Sequence, residues 1–399
     1  MLGLVVAGIA TAQLVAPEVL LLARVKAHTR AELARLPNCS CLETVRRSHK
    51  DQGAAAFELR DVLRLEVLYS DGHEYYAFPG EKQFTQSHPS SFTAGGTIGN
   101  GHFALFLHEI ASERGPSYEY KGRAAEKDGG RVLARWDYRV PLSSSGHVLN
   151  LGGGDASVGM TGTFWADPST YEILRIEMAA DEIPSTILVQ SSETSIEYAH
   201  TTLGGQDYVL PQSAEMRLLK FTGEESRNHI EFTHCRLFTA QSSISFGPSA
   251  DSAGFAEGSA LDKRELPPGL QVVVKVKTAI DGKTAVGTLV EGAVEGNVSS
   301  RKRVVIPDGS VVRGRVRRLE DRSGMWTVSL EFTDVESGEA RYRFFADLQG
   351  VDGAQGLQRP RDGKWEHELP GVGSFAVEGS RLEIAAGFRM LWKTRAMAE

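Results

Sequence analysis

From residue 38 onward the chain consists of short segments in which apolar and polar residues alternate, and Gly, Pro, Asp or Ser bounds each segment. Alternation with a period of two is typical of β-strands that bury one face. Strands that follow each other so closely pair most simply as an antiparallel meander, which must curl or gain a second layer to hide its apolar face. The pattern therefore predicts a mainly β protein of the α+β class.

One helix is expected to interrupt the first strands. The stretch GNGHFALFLHEIAS, residues 99–112, spaces four apolar residues along one helical face. We expect the sheet of residues 38–246 to wrap around this helix as an antiparallel half-barrel that binds a ligand on its concave face. The residues predicted to contact that ligand are Phe103, Phe106, Leu107, Ile110 and Trp165.

The chain divides at a stretch rich in Gly, Ser and Ala. Residues 247–264 have no apolar period, which predicts a linker without structure of its own. Residues 265–395 return to short, evenly spaced strands punctuated by glycine. A small C-terminal β-barrel is the expected fold of this part, because closure removes exposed strand edges.

A basic stretch in the second part, VVIPDGSVVRGRVRRLE, reads as strand, tight turn at Pro307, and strand. It places Arg313, Arg315 and Arg317 on one face. This face is either a solvated surface with cross-strand partners such as Glu331, or a site for an anion or a partner. No aromatic residues stand between the arginines and the net charge of the chain is -7, so nucleic acid is not an expected partner.

The first residues predict export. Residues 1–12 are apolar after Met1 and end in Ala-Thr-Ala, which is typical of a signal peptide; a short buried helix is the alternative. No membrane span is expected in the mature chain, since the apolar run is interrupted at Gln13 and Pro17. Residues 13–37 are expected to form an amphipathic helix with a basic face, in which Pro17 suits the first turn and Pro37 ends the helix. This helix packs on the following domain or lies on an anionic membrane. We expect a periplasmic or outer-envelope location.

Three cysteines fit an exported protein. Cys39 and Cys41 share one face of a strand, so one of them is expected to pair with Cys235. We predict a disulfide between Cys41 and Cys235, with Cys39 to Cys235 as the alternative. A metal site built on these cysteines lacks a fourth ligand, and no metal is expected.

Catalytic motifs are incomplete. His108 and Glu109 lack the second histidine of a zinc protease, and the glycine-rich stretch at residues 149–159 lacks the lysine of a phosphate-binding loop. We therefore predict a non-enzymatic protein without a cofactor. A hydrolase remains the alternative only if His102, His108 and Glu109 come together in a cleft.

The first part resembles a known family. GTFWADPSTYEILRIEMAADEIP followed by TSIEYAHTTLGGQDYVLPQSAEMR is similar to the half-barrel of LolA/LolB-like periplasmic lipoprotein carriers, with matches at Trp165, Asp167, Pro168 and Thr170. The stretch LPNCSCLE also resembles exported bacterial proteins that carry Leu-Pro-Asn-x-x-Cys-x-Glu. These resemblances imply an envelope location and a lipid or lipidated peptide as ligand.

The second part resembles the C-terminal β-barrel of TrbI-type proteins of conjugation and type IV secretion. The resemblance covers about residues 265–345, and its matching positions are Pro268, Gly269, Ile306, Pro307, Gly309, Ser310 and Gly314. The membrane-crossing helices of that family are missing here. What the resemblance implies is a barrel used for assembly in the envelope, with an envelope protein as possible partner. An assembly scaffold without a small ligand is therefore the alternative to a lipid-binding protein.

Overall fold

The structure, a computed structural model, describes residues 15–81, 84–85, 88–93, 96–125, 130–150, 155–238, 264–322, 324–338, 340–351 and 371–396. The predicted signal peptide lies outside these residues, and so does the predicted linker except for its last residue, where a strand begins. No helix in the described ranges is long and apolar enough to cross a membrane.

The first part of the chain contains two α-helices, two short 3-10 helices and twelve strands within the described ranges. They are α1 Pro17–Arg35, β1 Cys39–Lys50, β2 Glu58–Ser70, β3 His73–Ala77, a 3-10 helix Pro89–Phe92, α2 Leu105–Ala111, β4 Ser117–Ala125, β5 Val132–Val140, a 3-10 helix Leu142–Ser144, β6 Val148–Asn150, β7 Asp155–Ser157, β8 Gly159–Ala166, β9 Ile173–Asp181, β10 Val189–Leu203, β11 Gln206–Lys220 and β12 Glu225–Leu237.

The second part contains strands alone in the residues that the structure describes. They are β13 Arg264–Glu265, β14 Gln271–Val276, β15 Ile280–Asp281, β16 Leu289–Glu295, β17 Val298–Ser300, β18 Arg303–Ile306, β19 Val311–Arg322, β20 Met325–Ser337, β21 Ala340–Arg343, β22 Ala346–Val351, β23 Val372–Glu378, β24 Glu383–Ile384 and β25 Arg389–Thr394.

Ten strands of the first part form one antiparallel sheet in the order β3-β2-β1-β12-β11-β10-β9-β8-β5-β4. Strands β8 to β12 follow each other as a meander, and β1 returns to pair with β12. The sheet curls into a half-barrel, as the sequence predicts. The predicted Cys41–Cys235 disulfide joins β1 to β12, and Cys39 stays a free, buried thiol.

Helix α1 begins at Pro17, as predicted, and packs against the half-barrel. Val25, Thr29 and Leu33 recur every four residues and are buried. Two cationic side chains of the helix lie over tyrosine rings of the sheet, Lys26 at 4.8 Å from the ring centre of Tyr118 and Arg35 at 4.8 Å from that of Tyr208. These contacts favour packing on the sheet over the alternative of a membrane-bound helix.

Helix α2 is shorter than the sequence predicts. It begins at Leu105, and Phe103 precedes it in a loop. The carboxylate of Glu74 accepts hydrogen bonds from the backbone N–H of Gly101 and of Phe103, each at 2.9 Å. Gly101 has a φ of +84°, which an L-residue rarely adopts. These interactions hold the loop outside helical geometry.

The second sheet curls almost closed. Its order is β13-β21-β20-β19-β16-β14-β25-β22, and β23 pairs with the first half of β20, on the edge that β21 leaves free. Curling brings β23 close to β22 at the far end of the same sheet. The backbones approach closely there, since a Cβ atom on Gly373 would lie 2.5 Å from the Leu348 Cβ atom of β22. This arrangement agrees with the predicted small β-barrel.

The two sheets touch at β2. Strand β3 does not reach the part of β2 around Leu63, and the segment at Val286 takes that free edge as a parallel bridge. Val286 N–H donates to the Val62 carbonyl at 2.6 Å, and Arg64 N–H donates to the Val286 carbonyl at 2.9 Å. Gly287 is needed here, since a Cβ atom would lie 2.7 Å from the Arg64 carbonyl oxygen.

Candidate ligand-binding cavity

The concave face of the half-barrel is arranged in rows of side chains that pair from strand to strand. The deep row is large and apolar, and its members fill the space under α2. It consists of Trp136, Phe164, Ile176, Ile196, Ala214, Ile230 and Val45. All of these side chains are buried. This part of the trough therefore leaves no room for a ligand.

Toward one end of the strands the rows become smaller or more flexible. The middle row consists of Tyr138, Gly162, Met178, Thr194, Met216 and Asn228. The end row consists of Val140, Met160, Ala180, Ser192, Leu218 and Ser226. Small side chains in the middle of both rows leave a cavity of about 300 Å³.

The cavity is covered by the segments before α2 and before β8. Residues 97–102 and the first residues of α2 form one wall, and residues 146–149 form another. The ring of His147 stacks on Phe106 at 5.4 Å, and its Nε2 lies 2.9 Å from a carboxylate oxygen of Glu109. These contacts join the two covering segments to each other. The cavity volume is at the lower limit for small-molecule sites in proteins, which span roughly 300–1,000 Å³.

His102 is the polar group that stands out in the cavity wall. Its side chain is 3% exposed, and it makes no hydrogen bond to any residue that the structure describes. Burial, and in second place the nearby His88, lower the pKa of His102 to about 4, so the imidazole is neutral at neutral pH. A buried polar group without a partner is costly, which makes this ring a candidate contact for a ligand.

The predicted ligand residues divide into three groups. Phe106 lines the cavity, while Phe103 and Leu107 face a much smaller void of about 30 Å³ beneath α1. Ile110 is fully buried in the core. Of these four residues, only Phe106 lines the cavity of about 300 Å³.

Trp165 is on the other face of the sheet, so its predicted place in the concave face is wrong. Its neighbours Phe164 and Ala166 point inward and are fully buried, and successive strand residues alternate. The indole lies between the guanidinium groups of Arg135 and Arg175, at 5.7 and 5.1 Å from the ring centre.

A second, larger depression lies on this outer face. It encloses about 740 Å³ and is open to solvent, and charged side chains such as Asp137, Arg175 and Glu177 line it. Several of these charges are paired with each other, for example Arg217 with Glu215 at 2.6 Å. The outer depression is therefore a solvated surface of a twisted sheet, and the inner cavity is the better candidate site.

The candidate catalytic residues do not come together. His108 Nε2 lies 3.5 Å from the Tyr69 hydroxyl, Glu109 binds His147, and His102 faces the cavity. In the described ranges no three His, Cys, Asp or Glu side chains are grouped as a metal centre. The non-enzymatic character of the protein stays a prediction.

The arginine face of β19 is partly buried, so it is a solvated surface only in part. Arg315 is 7% exposed and lies over the Phe78 ring at 5.1 Å, with its Nη2 3.3 Å from Glu81. Arg317 lies over the same ring at 4.7 Å and donates to Glu331 at 3.0 Å. The half-barrel itself covers this surface.

Arg313 completes the set by pairing with Glu336. Each of the three arginines therefore has a carboxylate partner within the protein. The predicted anion or partner face is an internal contact between the two sheets at Arg315 and Arg317. No local pattern indicates this contact, because Phe78 and Glu81 are more than 200 residues away in the sequence. The pairing of Arg317 with Glu331 is the cross-strand contact that the sequence predicts.

Comparisons with known proteins give three similar solved structures, whereas no family model and no curated protein matches the chain. A DUF1329 family protein from Desulfovibrio piger is 12% identical, covers 57% of this chain and 97% of its own, and has a TM-score of 0.29. A LolA superfamily protein from Nitrosomonas europaea is 11% identical, with 54% and 93% covered and a TM-score of 0.26.

The third structure is ComB10 of the Com type IV secretion system of Helicobacter pylori. It is 12% identical, covers 33% of this chain and 87% of its own, and has a TM-score of 0.22. These neighbours agree with the two resemblances that the sequence indicates. At such identities and TM-scores the similarity says nothing about ligand or activity.

Sequence reasoning missed the residues that shape the cavity. Met178, Met216 and Thr194 come from different strands, and only the register places them in one row. Alternation along each strand could have assigned them to the inner face. It could not have shown that the small residues of neighbouring strands align.

Proposed function

We propose that this chain is an exported, non-catalytic cell-envelope protein that binds the acyl chain of a lipid or of a lipidated peptide in the inner cavity. The observation that carries the proposal is the cavity of about 300 Å³ with its mainly apolar lining. Engineered cavities of about half this size bind benzene, so the volume suffices for part of an acyl chain. The flexible methionines in its wall suit a ligand of variable shape.

The disulfide supports the exported location. Disulfides persist in oxidising compartments such as the periplasm and are rare in the cytosol. The Cys41–Cys235 bond joins the first strand of the half-barrel to the last, so it fixes the sheet that forms the cavity. The second sheet, docked on β2, is the attachment module in this proposal.

Two neighbouring alanines on opposite faces of β9 allow a matched test. Ala180 lines the inner cavity and Ala179 lines the outer depression, and both are half-buried. A phenyl group at residue 180 would fill the cavity. We expect Ala180→Phe to weaken binding of a dansylated undecanoic acid by about tenfold or more, whereas Ala179→Phe leaves it unchanged.

The measurement is fluorescence titration of the full chain with this probe, and circular dichroism checks the fold of each variant. Equal affinity of both variants and the wild type would show that the probe binds elsewhere. Absence of binding by the wild type would favour the scaffold without a small ligand.

A further inference from the structure

Two potential metal-ligand atoms, a ring nitrogen and a thioether sulfur, lie on either side of Gly99 in the cavity wall. A Cβ atom on Gly99 would lie 3.2 Å from His102 Nε2 and 3.2 Å from Met216 Sδ. The nitrogen and the sulfur are therefore no more than twice this distance apart. Glycine at residue 99 leaves the space between them free of a side chain.

A second thioether belongs to the same wall. Met178 and Met216 flank Thr194 in the middle row, on strands that are two apart. Their Cα atoms are therefore separated by about 10 Å, and the side chain between them is short. Met178, Met216 and His102 all line the cavity.

Packing alone explains the methionines but not the histidine. Methionine commonly fills irregular space in a core, and three of the seven methionines of the chain line this cavity. His102 is different, because its buried ring has no hydrogen-bond partner among the described residues, and the Met216 sulfur on the other side of Gly99 is only a weak acceptor. An imidazole beside thioethers instead forms a set of metal ligands.

We propose that His102, Met216 and Met178 bind a soft monovalent metal ion, Cu(I), in the wall of the cavity. Thioether ligands select Cu(I), and imidazole is a common copper ligand. No Asp or Glu lines the cavity in the described residues, so the site supplies none of the carboxylates that Ca²⁺ and Mg²⁺ prefer. A monovalent ion also loses less hydration energy than a divalent ion in such a neutral site.

The test uses the full chain with Cys39→Ala, because a free thiol also binds Cu(I). Ascorbate under anaerobic conditions keeps the copper reduced, and a chromogenic Cu(I) chelator competes with the protein. We expect the protein to withhold one equivalent of Cu(I). Met216→Leu should weaken binding by about tenfold or more, and both this change and its control conserve side-chain volume.

The matched control is Met390→Leu, since Met390 is a fully buried methionine of the second sheet. This variant should bind Cu(I) as tightly as the parent. Release of all copper to the chelator by the parent protein, or equal affinity of the Met216→Leu and Met390→Leu variants, would overturn the proposal.

Methyl NMR of methionine provides a test without substitution of a ligand. Saturation with Cu(I) should shift the Met178 and Met216 methyl signals and leave those of Met325 and Met390 in place. Gly99→Ala, which retains all three ligands and adds a methyl group between two of them, should reduce both shifts. Unshifted Met178 and Met216 signals at saturation would contradict the site. These readouts need no lipid, so their failure would leave acyl-chain binding standing.

Discussion

Glu43 lies on β1 inside the half-barrel, and its side chain is buried. Its Oε1 atom has no hydrogen-bond partner among the described residues. Burial, and to a lesser degree the charge of Glu74, raise the pKa of Glu43 to about 8 from an ordinary value of 4.5. The folded protein therefore holds this carboxyl group protonated at neutral pH.

This shift predicts a pH dependence of stability. Because the folded pKa is raised, the unfolded chain loses the proton first, and stability falls as pH rises from about 4.5 to about 8. Glu43→Gln should remove this loss, so that the variant gains roughly 2–4 kcal/mol over the wild type between about pH 5 and pH 8. Urea unfolding of both proteins at several pH values measures this difference in the free energy of unfolding. Parallel pH profiles of the two proteins would show that Glu43 ionises normally.

At the scale of elements, the sequence predicted what depends on local pattern. Helix α1 begins at Pro17 as expected, because proline suits the first helical turn and Pro37 stops the chain beyond it. The start of α2 was missed, since Glu74 from a distant strand holds Phe103 outside the helix. Alternation along β8 places Trp165 on the outer face, because its neighbours Phe164 and Ala166 are buried, whereas the motif resemblance predicts the concave face.

The disulfide between β1 and β12 is expected to stabilise the half-barrel. Removing the disulfide with Cys41→Ala and Cys235→Ala should lower the free energy of unfolding by about 2–5 kcal/mol, since the bond closes a long loop in the unfolded chain. Urea denaturation measures the loss, with Cys39→Ala as the control that keeps the bond. In denatured wild-type protein without reductant, one cysteine should react with iodoacetamide. Alkylation of all three would mean that the disulfide does not form.

At the scale of the whole molecule, the two sheets meet through charges as well as backbone. Glu320 of the second sheet is almost fully buried and accepts from Arg318 at 2.8 Å, and Arg60 of the half-barrel lies 3.4 Å away. These arginines lower the pKa of Glu320 although burial opposes the shift. The sequence could show a basic strand but not its intramolecular partners.

The central claim is that the inner cavity holds an acyl chain in the exported protein. Native mass spectrometry of protein purified from its own cell envelope without detergent tests this claim most directly. The account predicts an added mass of a lipid or lipidated peptide on the wild type and on Ala179→Phe, and its loss from Ala180→Phe. A wild-type protein at the mass of the bare chain, or an added mass that persists in Ala180→Phe, would contradict it.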